Sequence, residues 1–340
     1  MKKIISAVCC AAAISICFIS CRKTPLPAKT EFRMGTVCTV NLYERGTDAL
    51  YERMFSRLNE IEAVFSVNLP DSVVSNINRA AGLEPVPVSD EVLYVLEKAL
   101  AIAEATGGMF DPSIGPLVSL WGIGSDSAHV PQPEEIAAAK KLVDYRLVRL
   151  DKTERTVFLA ERGMQLDLGG IVKGYAADEL ASIAAENGVK RALFDLGGNV
   201  YAYGRKPDGT AWRVGVKNPL APEGQPLIKL ELENKSVVTS GVYERFFFQD
   251  GVRYHHILDI KSGYPMRNEV LSATVVSESS MLADALSTSV FLLGPESGLA
   301  LLAAQGADGI IVTEDRAVYA TPQIRRVTTI MNPEFSLKTE

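Results

Sequence analysis

Between residues 48 and 65 apolar side chains return every three or four positions. Leu50, Met54, Leu58, Ile61 and Phe65 fall on one face, which predicts a helix. A second amphipathic run covers 90–106, with Ser89 placed to cap it, Asp90 and Glu91 in its first turn, and Gly107-Gly108 ending it. Further helices are predicted from Pro133 to about Lys140, from Gly174 to Asn187, and from Ser280 to Leu293, where Gly294-Pro295 stops the run. Another helix is expected over 296–305. Short β-like runs lie between them, near 36–43, 147–150, 156–160 and 309–320, with a dense group from 190 to 278. Strands and helices do not alternate regularly. The pattern therefore predicts an α+β fold of mainly antiparallel sheets with flanking helices.

The N-terminus differs from the rest. Lys2 and Lys3 precede a mostly apolar run from Ile4 to Ile19, then Ser20-Cys21. A basic start and roughly 15 apolar or small residues describe a secretory leader, shorter than the roughly 20 residues a membrane span needs. Phe18-Ile19-Ser20-Cys21 is similar to the lipobox of bacterial lipoproteins, with Phe18 where Leu is usual. The expected organisation is a signal peptide over 1–20, a lipidated Cys21 with a Pro-containing tether to residue 31, one domain over 32–330 and a tail over 331–340. No later segment is expected to span a membrane, so the lipid anchor is the expected contact with it.

Net charge is −6, more negative still once Lys2 and Lys3 leave with the leader. An acidic body lacks the basic footprint that nucleic acid demands, so no nucleic-acid partner is expected. Of five cysteines only Cys38 lies beyond Cys21; flanked by Val37 and Val40, it reads as a core residue.

Candidate chemistry sits in a few stretches. In Asp167-Leu168-Gly169-Gly170-Ile171-Val172-Lys173-Gly174, a strand ending in an acid is expected to run into two glycines and then a helix. Such a turn exposes backbone N–H groups to phosphate, or is simply tight. In the predicted helix after Ser280, Asp284 and Thr288 are four apart and share a face. A carboxylate and a hydroxyl so placed suit a hard cation such as Mg²⁺, though two side chains do not fill an octahedron. His255 and His256 are adjacent in a β-like run, so at most one faces a given site; a histidine there is a candidate base or a hydrogen-bonded structural residue. Phe110-Asp111, in the bend from Met109 to Pro116, offers a ring and an acid to a planar ligand, or shapes a turn. Asp195-Leu196-Gly197-Gly198-Asn199 reads as a second turn, and His129 as incidental.

These stretches, taken in order, resemble the ApbE family of flavin transferases. The resemblance starts at Met34-Gly35-Thr36 and includes Phe110–Pro116, Asp167–Ala176 and Asp195–Asn199. It continues through Thr239-Ser240-Gly241-Val242-Tyr243-Glu244-Arg245-Phe246, His256-Ile257-Leu258-Asp259, Ser262-Gly263-Tyr264-Pro265 and Asp284–Thr288. It implies a T-fold-like architecture. It also implies Mg²⁺-dependent transfer of FMN from FAD to a Thr or Ser hydroxyl of a redox protein, forming a phosphoester and releasing AMP. Carried over, the metal ligands are Asp284, Thr288 and the Gly170 carbonyl; Met34, Phe110, Asp111, Asp167, Lys173 and Leu258 surround FAD; His256 is the base, with Asp259 next in line. Implied acceptors are subunits of Na⁺-translocating NADH:quinone oxidoreductase or Rnf-type complexes, and the implied location is the periplasmic face of the bacterial inner membrane. The chain departs from the family at Phe65-Ser66-Val67, which lacks an expected aromatic, at Lys173, where some relatives have an acid, and at Ile260, where Pro is common. FAD pyrophosphatase activity and passive flavin binding are the alternatives.

Overall fold

The computed structural model describes residues 26–221 and 225–338. The chain opens with strands β1 (Lys29–Arg33) and β2 (Thr36–Leu42), helices α1 (Asp48–Phe65) and α2 (Val73–Arg79), and strand β3 (Val86–Pro87). Helices α3 (Asp90–Ala105), α4 (Gly115–Trp121) and α5 (Pro133–Lys140), strands β4 (Val148–Asp151) and β5 (Thr156–Leu159), and helix α6 (Val172–Glu186) follow. Seven strands come next: β6 (Arg191–Leu196), β7 (Asn199–Gly204), β8 (Trp212–Lys217), β9 (Pro226–Leu232), β10 (Lys235–Gly241), β11 (Phe246–Gln249) and β12 (Val252–His255). Then come β13 (Val270–Ser277), the long helix α7 (Ser280–Ala304), β14 (Asp308–Thr313), β15 (Ala317–Ala320), α8 (Pro322–Arg325), β16 (Thr328–Ile330) and β17 (Ser336–Leu337).

Nine strands form one sheet in the order β1-β2-β6-β7-β10-β13-β14-β15-β17, antiparallel except for the last pair. The period-2 alternation of its central strands separates two cores. Val238, Val275 and Ile311 point into one, with α1, α6 and α7; their neighbours Val237, Val276, Ile310 and Val312 point into the other, against β8 and β9. The molecule is thus helices on one face, a small sheet on the other, and a central sheet whose β13 is buried at every position. Each large aliphatic side chain fully buried in such layers contributes roughly 1.5–3 kcal/mol.

Most expected elements appear within a residue or two. The exceptions have identifiable causes. Residues 29–31, expected in a tether, pair in β1 with β2, and Phe335 and β17, expected in a tail, belong to the second core and the sheet edge. Helices α2, α4 and α8 are too short to declare a period. The approach to Asp167 is no strand; it is an extended segment with one bridge, Ile114 to Gln165. The two C-terminal helices join in α7 across a break at Gly294 (φ 78°, ψ −177°). By length and composition α7 is apolar enough to cross a membrane, contrary to expectation. Here its apolar side chains pack in the first core, while Glu296, Ser297, Ala300, Ala303 and Ala304 near its C-terminal end are exposed. The leader and Cys21 lie outside the described residues.

Candidate active site

The crossing of α6 and α7 organises the site. Asp178 of α6 receives Ser280 N–H at 2.7 Å, Met281 N–H at 3.0 Å and Ser279 Oγ–H at 2.9 Å, capping the start of α7. Gly174 lets the helices touch: a Cβ there would stand 2.3 Å from the Ser280 carbonyl oxygen. One turn into α7, Asp284 is 4% exposed, and its Oδ2 accepts the Gly174 N–H at 2.8 Å. Its Oδ1 lies 3.9 Å from Lys173 Nζ. Burial raises the Asp284 carboxyl pKa, opposed by Lys173 and by backbone N–H groups.

Thr288 follows one turn later, half-buried, its Oγ1 3.2 Å from Ser240 Oγ of β10. Gly170 closes over this position: a Cβ on it would lie 3.7 Å from Thr288 Oγ1 and 3.2 Å from Phe110 Cε2. The glycine turn, the Thr288 hydroxyl and the Phe110 ring thus converge. Asp167 N–H donates to the Pro112 carbonyl at 2.9 Å, which ties the turn to the 109–116 loop. Asp167 Oδ1 accepts Gly169 N–H at 2.8 Å. Burial raises this carboxyl's pKa too, against Gly169 N–H and the charges of Arg245 and Lys173. Lys173 Nζ reaches back to the Gly169 carbonyl at 3.1 Å.

The two histidines part company. His255 ends β12 facing inward, its Nε2 2.9 Å from the Met266 carbonyl and its ring edge-on to Phe291. His256 leaves the strand half-buried; its N–H donates to the Arg245 carbonyl at 3.0 Å, and its Nδ1 lies 3.3 Å from the same oxygen. Burial first, then the Arg245 and His255 charges, push the His256 pKa down to about 4. A neutral ring donating Nδ1–H to that carbonyl leaves Nε2 as an acceptor.

Other candidates are placed differently. Asp111 spends both oxygens on its own surroundings: Oδ1 accepts Ser113 N–H at 2.8 Å and Oγ–H at 2.7 Å, and Oδ2 accepts Tyr145 N–H at 3.0 Å. Asp259 likewise accepts the N–H groups of Lys261 and Ser262 in a turn. Leu258 is buried with Leu117, Trp121 and Ile136. Met34 (φ 53°) and Gly35 (φ 68°) form the turn between β1 and β2, and Met34 N–H donates to Glu62 Oε2 at 2.9 Å. Asp195 holds the Gly197-Gly198 turn through Gly198 N–H at 2.8 Å. The exposed His129 ring meets the nearby Ser127 carbonyl, and its backbone N–H donates to the Trp121 carbonyl. Cys38 is fully buried, its thiol pKa raised by that burial to about 11.

The reading from sequence passed over three residues at this centre: Asp178, Ser240 and Arg245. Ser240 and Arg245 lie in the Thr239–Phe246 stretch that carries the resemblance, but no local pattern shows that the Arg245 charge acts on both Asp167 and His256. Among the described residues no three His, Cys, Asp or Glu side chains cluster as metal ligands. The candidate donor set has one carboxylate, one hydroxyl and one carbonyl. Three hard oxygens suit Mg²⁺, which keeps waters and shares substrate phosphates.

The family profile described as "ApbE family" matches residues 34–311. The chain is 38% identical to the FAD:protein FMN transferase of Treponema pallidum, over 92% of this chain and 91% of that one. It is 42% identical to one from Klebsiella pneumoniae, over 85% and 90%. The ApbE protein of Thermotoga maritima superposes with a TM-score of 0.82 at 34% identity, covering 88% of this chain and 98% of that one. The flavin transferase ApbE of Vibrio cholerae gives 0.80 at 28% identity, with the same coverage. With the profile spanning most of the chain and close to full-length likeness to these relatives, the chain belongs to the ApbE family.

Proposed function

We propose that this protein transfers the FMN half of FAD to a threonine or serine hydroxyl of a membrane redox protein. The relatives' shared activity supports the transfer. The observation that carries its assignment to this site is the meeting of the Gly170 turn, Phe110 and Thr288 beside the buried Asp284.

Phe110 and the glycine turn bind and orient the dinucleotide, and Lys173 offsets phosphate charge. Asp284, Thr288 and the Gly170 carbonyl would hold Mg²⁺, which when bound neutralises pyrophosphate charge and makes phosphorus more electrophilic. His256, neutral at physiological pH, takes the acceptor proton on Nε2. The acceptor oxygen then bonds to the FMN phosphorus, the bridging P–O bond breaks, and AMP leaves with that bond's electrons. Positioning and charge stabilisation do most of the work in such transfers.

We also place the enzyme at the periplasmic face of the inner membrane, held by an acylated Cys21. There it would meet subunits of Na⁺-translocating NADH:quinone oxidoreductase or Rnf-type complexes. The test is incubation with FAD, Mg²⁺ and such a subunit, then a denaturing gel. Covalent flavin fluorescence on the subunit is expected. Free FMN and AMP without labelled protein would indicate a pyrophosphatase, and unchanged FAD a passive binder.

A further inference from the structure

A hydroxyl serves a cation with its lone pairs, so its single proton has to be accepted elsewhere. For Thr288 the surrounding hydroxyls fix where that proton goes. Ser287, fully buried on α7, lies with its Oγ 2.8 Å from the main-chain carbonyl of Asp284. A carbonyl only accepts, so the Ser287 proton is spent there. Ser240 Oγ of β10 lies 2.8 Å from Ser287 Oγ, which is left to accept, and Ser240 therefore donates to it. With its own proton committed, Ser240 in turn accepts across the 3.2 Å contact with Thr288 Oγ1.

Donation thus runs one way, from Thr288 to Ser240 to Ser287 to the Asp284 carbonyl. The reverse order would take the Ser287 proton from that carbonyl and leave the Thr288 proton without any of these acceptors. Both ends of the relay are residues of the candidate metal set. Asp284 offers its carboxylate to the site and its main-chain oxygen to the relay. A second relay joins the same two elements: Ser236 Oγ of β10 donates to Ser280 Oγ at 2.7 Å, and Ser280 donates to Asn199 Oδ1 at 2.8 Å. That one also ties α7 to the sheet, but it includes no candidate ligand.

We propose that Ser240 and Ser287 are positioning residues for the metal, drawing the Thr288 proton away so that the Thr288 oxygen presents its lone pairs to a hard cation. The inference rests on Thr288 as a metal ligand. It gives Ser287 a role at a cation it never touches. Without the Ser287 hydroxyl, the Ser240 proton is free to turn onto Thr288 Oγ1 and occupy a lone pair that the cation needs.

The test reads metal binding rather than turnover. Mn²⁺ is titrated into the purified protein without FAD, and the free ion is followed by electron paramagnetic resonance. Thr288→Ala is expected to weaken Mn²⁺ about tenfold. Ser240→Ala and Ser287→Ala should each approach this factor, roughly the low end of what partners that orient metal ligands contribute. In a Thr288→Ala background the two serine changes should add nothing, because their route to the metal is gone. Ser236→Ala, which breaks the other relay, should bind Mn²⁺ as the wild type does. Urea unfolding verifies that each variant is folded. Wild-type Mn²⁺ affinity in both Ser240→Ala and Ser287→Ala would overturn the proposal. So would an equal loss in the Thr288→Ala background or in Ser236→Ala, since the serines would then act only by holding α7 on the sheet. Wild-type Mn²⁺ affinity in Thr288→Ala is a separate failure: it removes Thr288 from the metal set, and the relay's purpose with it.

Discussion

The carboxylate of Asp284 on α7 accepts the backbone N–H of Gly174 on α6 at 2.8 Å, where the absence of a Cβ lets the two helices cross. One oxygen of a buried acid is thus committed to holding the helices in register. The other lies on the side of Lys173.

That division separates charge from architecture in a substitution series. Asp284→Asn keeps an acceptor for Gly174 N–H but removes the charge. It should stay folded while losing Mg²⁺-dependent transfer by about 100-fold or more, since metal-borne charge stabilisation is worth several kcal/mol. Asp284→Ala should also lose roughly 1–3 kcal/mol of stability, because the buried N–H is left unpaired. Thr288→Ala should be milder in turnover, water replacing a neutral oxygen. Transfer rates against Mg²⁺ concentration, with urea unfolding, check all three; a wild-type Mg²⁺ response in Asp284→Asn would remove Asp284 from the metal set.

Gly174→Ala should destabilise the fold by about 1–3 kcal/mol or more, since its methyl meets backbone rather than a side chain that can move. Urea unfolding midpoints measure it. A neutral result would show that the α6–α7 crossing is loose.

His256→Ala should bind FAD as the wild type does and lose transfer by about 10²–10⁴-fold, the usual scale of a general base. Isothermal FAD titration beside single-turnover transfer separates the two effects. Wild-type transfer would move the base elsewhere.

Acidification should act on stability before it silences the base. His255 and His256 are both pushed from 6.5 to about 4, chiefly by burial. The unfolded chain takes up their protons near pH 6.5, whereas the folded chain resists until about 4. Their contribution is therefore full above 6.5 and is lost as pH falls from 6.5 toward 4. Unfolding free energy should drop across this window, while the acid limb of transfer attributable to His256 lies well below 6.5. A transfer pKa near 6.5 that vanishes in His256→Ala would mean an imidazole as accessible to protons as in water.

Cys21→Ser should abolish palmitate labelling and release the protein to the soluble periplasm, while the purified domain transfers FMN unchanged. Labelled Cys21→Ser protein, or a purified domain without activity, would break this separation of anchor from enzyme.

Local patterns in the sequence were enough for the elements and for part of the site. A 3.6-residue period and capping residues mark α1, α3 and the start of α7, where Ser279 accepts Leu282 N–H at 3.2 Å. The same period puts Asp284 and Thr288 on one face, and the period of a strand sends His255 and His256 apart. These are properties of neighbours in the chain, and periodicity reports them directly. Partners far apart in sequence were decided only by the fold. Asp111 looks free to meet a ligand until Tyr145, more than 30 residues on, donates its N–H to it. Asp178 looks like one more helical acid until the start of α7 is laid across it, 102 residues later. The depressed histidines, the raised buried carboxyls and the reach of Arg245 follow from what surrounds each group in three dimensions. Desolvation and charge act through space, so only the tertiary structure settles them.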